Sequence, residues 1–189
     1  MDQAVATAAM TMTNHDAPRD DLAYRAVHGG PPPIFDFTAF VDAYDTDRRA
    51  RGLSWYEFAD ELWDQSEALN AERPDDHCMC GGAVSRLRTG GETSCQYALF
   101  MLRWLRRAPE EFLTGPVVDV GDTRLPEAGP DSRLRWDLGA LHTALNENRQ
   151  QRGLTWAALA AEFDCTPSRL TNLRTARLAE MGLIMRVTQ

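Results

Sequence analysis

The side chains best equipped for chemistry lie near the end of the chain, in the run Thr166-Pro167-Ser168-Arg169-Leu170-Thr171-Asn172-Leu173-Arg174. With Leu170 and Leu173 turned inward, Ser168, Arg169, Thr171, Asn172 and Arg174 share the outward face of a short helix. Arginine favours bidentate contacts to phosphate and guanine, so this face is suited to polar recognition rather than to bond making. A second set is Asp75-Asp76-His77-Cys78-Met79-Cys80, with Cys95 near it in sequence. It suggests acid–base or soft-metal chemistry, but zinc sites usually separate paired cysteines by about two to four residues, and C-x-C does not. No phosphate-cradling glycine loop, HExxH or GxSxG accompanies it. The sequence therefore predicts no enzyme, no cofactor and no metal, and it reads Cys165 as a structural residue at a turn.

The elements that must position these groups are written twice. Residues 51–62, RGLSWYEFADEL, and 152–163, RGLTWAALAAEF, share six of twelve positions, and Ser54/Thr155 is a conservative pair. A second match follows each block, Leu87-Arg88-Thr89 and Leu173-Arg174-Thr175. Repetition of this kind decides architecture before local pattern does. The first match has an offset of 101 residues and the second of 86, so the first copy carries a 15-residue insertion between the matched blocks.

In the first copy Phe37, Phe40, Val41 and Tyr44 recur at helical spacing, and Gly52 ends that helix. Ser54 and Glu57 form a capping box for a second helix, whose Trp55, Phe58, Ala59 and Leu62 make one apolar face. Residues 64–80 read as a polar loop, Gly82–Arg88 as a short helix stopped by Gly90-Gly91, and Thr93 with Gln96 as a further capping box. That box opens an amphipathic helix over 94–107 that ends in arginines and is closed by Pro109. In the second copy Leu138, Leu141 and Leu145 face the core, Gly153 and Thr155 separate two helices, and Trp156, Leu159, Ala160 and Phe163 repeat the apolar face. Asp164-Cys165 makes the turn, and Thr166-Pro167 starts the next helix with an N-cap hydroxyl and a first-position proline.

Residues 155–174, TWAALAAEFDCTPSRLTNLR, resemble the Cro/C1-type (XRE) family of bacterial helix-turn-helix DNA-binding domains. The likeness rests on the capping Thr155, on Leu159-Ala160, on a small turn and on buried Leu170 and Leu173, with no gap. With its flanking helices it covers residues 134–189; residues 35–113 match less well because of the insertion. The resemblance implies an all-α fold of two tandem λ-repressor-like modules of four to five helices each. Their expected bounds are a leader at 1–33, module A at 34–113 with its insertion at about 64–80, an acidic Pro/Gly-containing linker at 114–132 and module B at 133–189. The last helix of module B stops before the counterparts of Trp104 and Leu105, and residues 117–120 could form a short extended segment.

The resemblance also implies major-groove reading by the third helix. Pro167, Ser168 and Thr171 fall where family members contact bases, with Arg169 and Asn172 beside them; Arg174, Arg177 and the Thr155 hydroxyl could reach phosphates. In module A, Gly81 and Gly82 replace Pro167 and Ser168, which weakens a helix start but permits close backbone approach to a phosphate, and Ser85, Arg86 and Arg88 remain as side chains able to touch DNA. The family often has glutamine at its base-reading positions and this chain has none there, so the operator is not legible.

Charge fits only in part. The net charge of −8 opposes nonspecific nucleic-acid binding, yet residues 81–108 and 133–189 carry excess arginine while 1–80 and 109–132 are acidic. All 20 basic residues are arginine, a bias that genome base composition produces equally well. The absence of an apolar run of about 18 residues predicts no membrane span. Four cysteines without C-x-x-C spacing, and no secretory signal, predict a cytoplasmic protein. The expected partner is double-stranded DNA, with a homodimer as a further option and no effector legible. Two alternatives stand beside a transcriptional regulator: an antitoxin-like or phage-regulatory protein-interaction module, and a metal- or redox-sensing regulator using the Cys78/Cys80 loop.

Overall fold

The computed structural model describes residues 32–76, 78–117 and 123–189. Most of the leader (1–31), His77 and residues 118–120 of the expected extended segment lie outside them. Among the described residues the chain is mostly helical, as expected of an all-α class, with one two-stranded ribbon. The ribbon pairs β1 (Ile34–Phe35) antiparallel with β2 (Leu113–Thr114), in the register Ile34↔Thr114 and Phe35↔Leu113. Between the strands run α1 (Phe37–Ala50), α2 (Trp55–Asp64), α3 (Glu67–Glu72), α4 (Gly81–Gly90), α5 (Cys95–Leu105) and a 3-10 turn, Pro109–Phe112. After them come α6 (Leu138–Gln151), α7 (Trp156–Glu162), α8 (Pro167–Thr171) with its 3-10 extension Asn172–Arg174, and α9 (Met181–Thr188). No helix among the described residues is long and apolar enough to cross a membrane.

The two copies share much of their local chemistry where the offset of 101 holds. Asp36 caps α1 by accepting from Ala39 N at 2.9 Å, and its counterpart Asp137 caps α6 by accepting from Ala140 N at 2.8 Å. Gly52 and Gly153 end these helices at φ 72° and 65°, where a side chain would be strained. Ser54 and Glu57 make the full capping box, Ser54 N donating to the Glu57 carboxylate at 2.7 Å and Glu57 N to the serine Oγ at 3.2 Å. The serine's donation holds the Glu57 carboxyl below its usual range. Thr155 accepts from Ala158 N at 3.1 Å, without a carboxylate to reciprocate. A shared buckle follows. Arg48 donates to the Leu53 carbonyl and lies 4.2 Å from the Trp55 ring, while Arg149 donates to the Leu154 carbonyl at 2.8 Å and lies 5.1 Å from Trp156. Both tryptophans thus serve packing.

The core of the first copy is a run of aromatic rings. Phe40 meets Phe35, Tyr44 and Phe112 edge-on at 5.4, 5.4 and 5.1 Å, and Phe58 meets Trp104 at 4.8 Å. In the second copy Leu141, Leu145 and Leu159 stand where the first has Phe40, Tyr44 and Phe58, and its core is largely aliphatic, with Leu138, Leu145, Leu159, Leu170, Leu173 and Ile184 all buried.

Several local expectations are corrected. Residues 64–80 are not simply a loop: α3 forms there, its Leu69 N bonded to the Pro130 carbonyl at 3.1 Å and its Asn70 Nδ2 to the Trp63 carbonyl at 2.9 Å. Ser94, not Thr93, caps α5, accepting from Tyr97 N at 3.2 Å; Thr93 is buried, and the Gln96 amide donates to the Leu134 carbonyl at 2.8 Å instead of closing a box. Helix α5 is shorter than expected and its apolar face is broad, with Cys95, Ala98, Leu99, Phe100, Met101, Leu102 and Trp104 buried and Gln96, Tyr97 and Arg103 less so. Thr166 starts α8 but its hydroxyl makes no cap; it sits 3.1 Å from the Ser168 hydroxyl.

Residues 128–133 lie against the first copy as a strap. Arg103 donates to the carbonyls of Gln65, Ala128, Gly129 and Ser132, and Ser66 Oγ donates to the Ser132 carbonyl at 2.7 Å. Arg133, buried over Trp63 at 4.2 Å, pairs with Asp76 at 2.6 Å.

Candidate nucleic-acid interface

Helix α8 is brief because proline fixes its first turn and its last residues tighten into 3-10 geometry. Asp164 takes φ 49° in the turn before it, a conformation that aspartate tolerates better than most residues. Leu170 and Leu173 are buried, as their spacing predicts. Pro167, Ser168, Asn172, Arg174 and Arg177 are exposed. The outward face is nevertheless narrower than expected. Arg169 is half-buried and ion-paired with Glu180, and Thr171 is half-buried with its hydroxyl donating to the Ser168 carbonyl at 3.4 Å. A carboxylate eleven residues downstream, which the sequence pattern does not single out, thus holds one of the two guanidiniums expected on this face.

In the first copy α4 packs on α2. Gly81 is buried, and a Cβ there would sit 2.9 Å from the Trp55 carbonyl oxygen and 3.0 Å from Tyr56 Cα. The close approach expected at this glycine is therefore to the protein's own backbone, not to a phosphate. Gly82 has nothing within 4 Å of a Cβ. Ser85 is half-buried and donates to the Gly82 carbonyl at 3.3 Å; Arg86 and Arg88 are exposed, with Arg88 5.8 Å from the Trp55 ring. The exposed hydroxyl Oγ1 of Thr155 is engaged as the cap of α7.

The two copies meet at a short backbone contact. Cys95 N donates to the Ala179 carbonyl at 2.8 Å, and Met181 N donates to the Thr93 carbonyl at 2.9 Å, flanking an antiparallel bridge between Ser94 and Glu180. At the offset of 86, Thr93, Ser94 and Cys95 are the counterparts of Ala179, Glu180 and Met181. Each hydrogen bond is the image of the other under exchange of the copies. This is the pairing a local two-fold axis through Ser94 and Glu180 produces. Helices α5 and α9, which start from the bridge, pack against each other. Beside it lies a groove of about 540 Å³ that Glu92, Thr93, Arg169, Asn172 and Glu180 help to line.

His142 stacks on Trp156 at 5.2 Å, and burial together with nearby Arg174 lowers its pKa from the ordinary 6.5. Burial raises the Cys95 and Cys165 thiols. Cys78 and Cys80 are exposed while Cys95 is buried, and among the described residues no three His, Cys, Asp or Glu side chains converge on a metal-sized site. Comparison with protein-family models, with curated proteins and with solved structures finds no match to this chain.

Proposed function

We propose that the chain is a sequence-specific, double-stranded-DNA-binding transcriptional regulator of two tandem λ-repressor-like helix-turn-helix modules. The observation that carries the reading is the exchange-symmetric contact at residues 93–95 and 179–181. A duplex presents pseudo-two-fold half-sites, and proteins that read it commonly set two reading elements about such an axis, half-sites about ten base pairs apart. In this reading α4 and α8 are those elements, joined in one chain rather than by dimerisation.

The contacts then divide by chemistry. Ser168 and Asn172 are the exposed side chains able to read base edges from α8, and Arg174 and Arg177 suit phosphates. From α4 the exposed guanidiniums are Arg86 and Arg88, the latter near the Trp55 ring, so the two half-sites are unlike. Arg169 starts from its pair with Glu180, which makes it a conditional contact: a base or phosphate must compete with that carboxylate.

Selection from fragmented bacterial genomic DNA at near-physiological salt, followed by sequencing, tests this. An enriched motif with two unlike half-sites is expected. Asn172→Ala should then cost roughly 1–3 kcal/mol at one position, while Arg86→Ala and Arg174→Ala weaken all sequences and flatten the salt slope. Absence of enrichment by folded protein would refute the reading and turn the helices toward a protein partner.

A further inference from the structure

The C-terminal end of α5 and residues 124–128 enclose a cavity of about 580 Å³, remote in sequence from α4 and α8. Arg103, Arg106 and Arg107 line it with Gln65 and Glu127, and Arg124, which is itself engaged, completes the wall. Arg107 is already paired, its Nε 2.8 Å from Glu111. Arg103 is not. Half-buried, it donates to four backbone carbonyls and to Ser66 Oγ, all of them neutral. These bonds engage both terminal nitrogens and leave its charge without a counter-ion among the described residues. Desolvation is a cost that such a charge retains until an anion approaches.

Arg106 adds an independent observation. It takes φ 55° and ψ 41° at the C-cap of α5, where its N–H closes back on the carbonyls of Leu102 and Arg103. Glycine is the usual residue there, since an L side chain is strained in the left-handed region. The helix dipole rewards a cation near this end, but it does not require one at the strained position. Arg106 has no ion pair among the described residues, and it lines the cavity. A strained backbone that holds, in the wall of an arginine-lined cavity, a guanidinium with no ion pair among the described residues is the arrangement expected of a ligand clamp.

We propose that this cavity binds a small phosphorylated molecule, with Arg106 and Arg103 supplying the charge for its phosphate. The guanidinium fork of Arg106 matches the tetrahedral, multiply charged phosphate oxygens while Arg103 adds its charge behind it, and the volume falls within that of small-molecule sites. The inference uses none of the residues assigned to DNA and stands or falls apart from that reading.

The test uses the full chain and inorganic pyrophosphate at constant ionic strength, followed by calorimetry and by thermal unfolding. Saturable binding and a raised midpoint are expected. Arg106→Gly removes the guanidinium and relieves the left-handed strain, so it should fold at least as well as the parent and yet lose affinity about tenfold or more. No saturable binding, or equal binding by R106G, overturns the proposal. Malonate of equal affinity would overturn the phosphate assignment. Competition by a random-sequence duplex, lost in R106G, would assign the cavity to a nucleic-acid backbone and overturn the small-molecule reading.

Discussion

Gly81 and Gly82 are neighbours in one helix, and the structure assigns them opposite responses to the same substitution. A Cβ on Gly81 meets the Trp55 carbonyl oxygen at 2.9 Å, the Trp55 carbonyl carbon at 3.0 Å and Tyr56 Cα at 3.0 Å. All three are backbone atoms in the first turn of α2, so no side chain can rotate away and α4 must shift as a body. Overpacking of this kind costs about 1–3 kcal/mol. Against it stands the better helix propensity of alanine, at most about 1 kcal/mol. Gly81→Ala should therefore destabilise by roughly 1–2 kcal/mol. Gly82→Ala meets nothing within 4 Å, so only the unfolded-state entropy and propensity terms remain. It should stabilise by about 0.4–1 kcal/mol.

Urea unfolding, followed by far-ultraviolet circular dichroism, reads both. With a slope of about 2 kcal/mol/M, the midpoint should fall by roughly 0.5–1 M for G81A and rise by a few tenths for G82A. Midpoints that move in the same direction would refute the claim that α4 is seated on the backbone of α2. A fall for G82A alone would reverse the assignment of the buried glycine.

Three further outcomes follow from the packing. Tyr44 is fully buried, its hydroxyl finds no partner among the described residues, and its counterpart in the second copy is Leu145; Tyr44→Phe should stabilise by about 1 kcal/mol in the same urea assay. Arg103→Ala removes the donors to the Ala128, Gly129 and Ser132 carbonyls of the strap; it should cost about 2–3 kcal/mol and speed proteolytic cleavage within residues 128–133, while unchanged digestion would show that the remaining contacts hold it. His142 has a folded pKa below its ordinary 6.5, from burial and then from Arg174, so the unfolded chain binds the proton more tightly. Its contribution is present above the unfolded value and is lost as pH falls through it toward the folded pKa. Stability should thus decline on acidification in this window and decline less in His142→Gln, with an imidazole NMR titration to check the direction of the shift.

What was legible in the sequence was what is decided locally. The capping chemistry of Ser54 and Thr155, the glycine stops at 52 and 153 and the inward pair Leu170/Leu173 depend on residues within a turn of one another, and the structure keeps them. Elements decided at long range were not legible. Helix α3 offers one buried side chain, Leu69, and is held by a carbonyl 61 positions away, that of Pro130. Arg103 likewise finds its partners in carbonyls, which have no side-chain signature. The half-burial of Arg169 on α8 is not legible in the sequence, because periodicity reports which side is apolar, not whether an outward guanidinium meets a carboxylate on another segment.

The contact between the copies argues that their divergence is a consequence of sharing one chain. In a symmetric homodimer the residue on the axis faces itself. Two glutamates at the position of Glu180 would repel, and two serines at the position of Ser94 would leave no carboxylate there. Covalent linkage makes the association intramolecular and frees each copy to differ at this position. Ser94 then caps α5 while Glu180 pairs with Arg169, so the two sites serve different roles. The same freedom accounts for a buried Gly81 opposite an exposed Pro167: α4 closes onto α2, whereas α8 begins with a rigid ring in solvent. The repeat has thus kept the pairing that holds its halves together while the two candidate reading segments, α4 and α8, have become different surfaces.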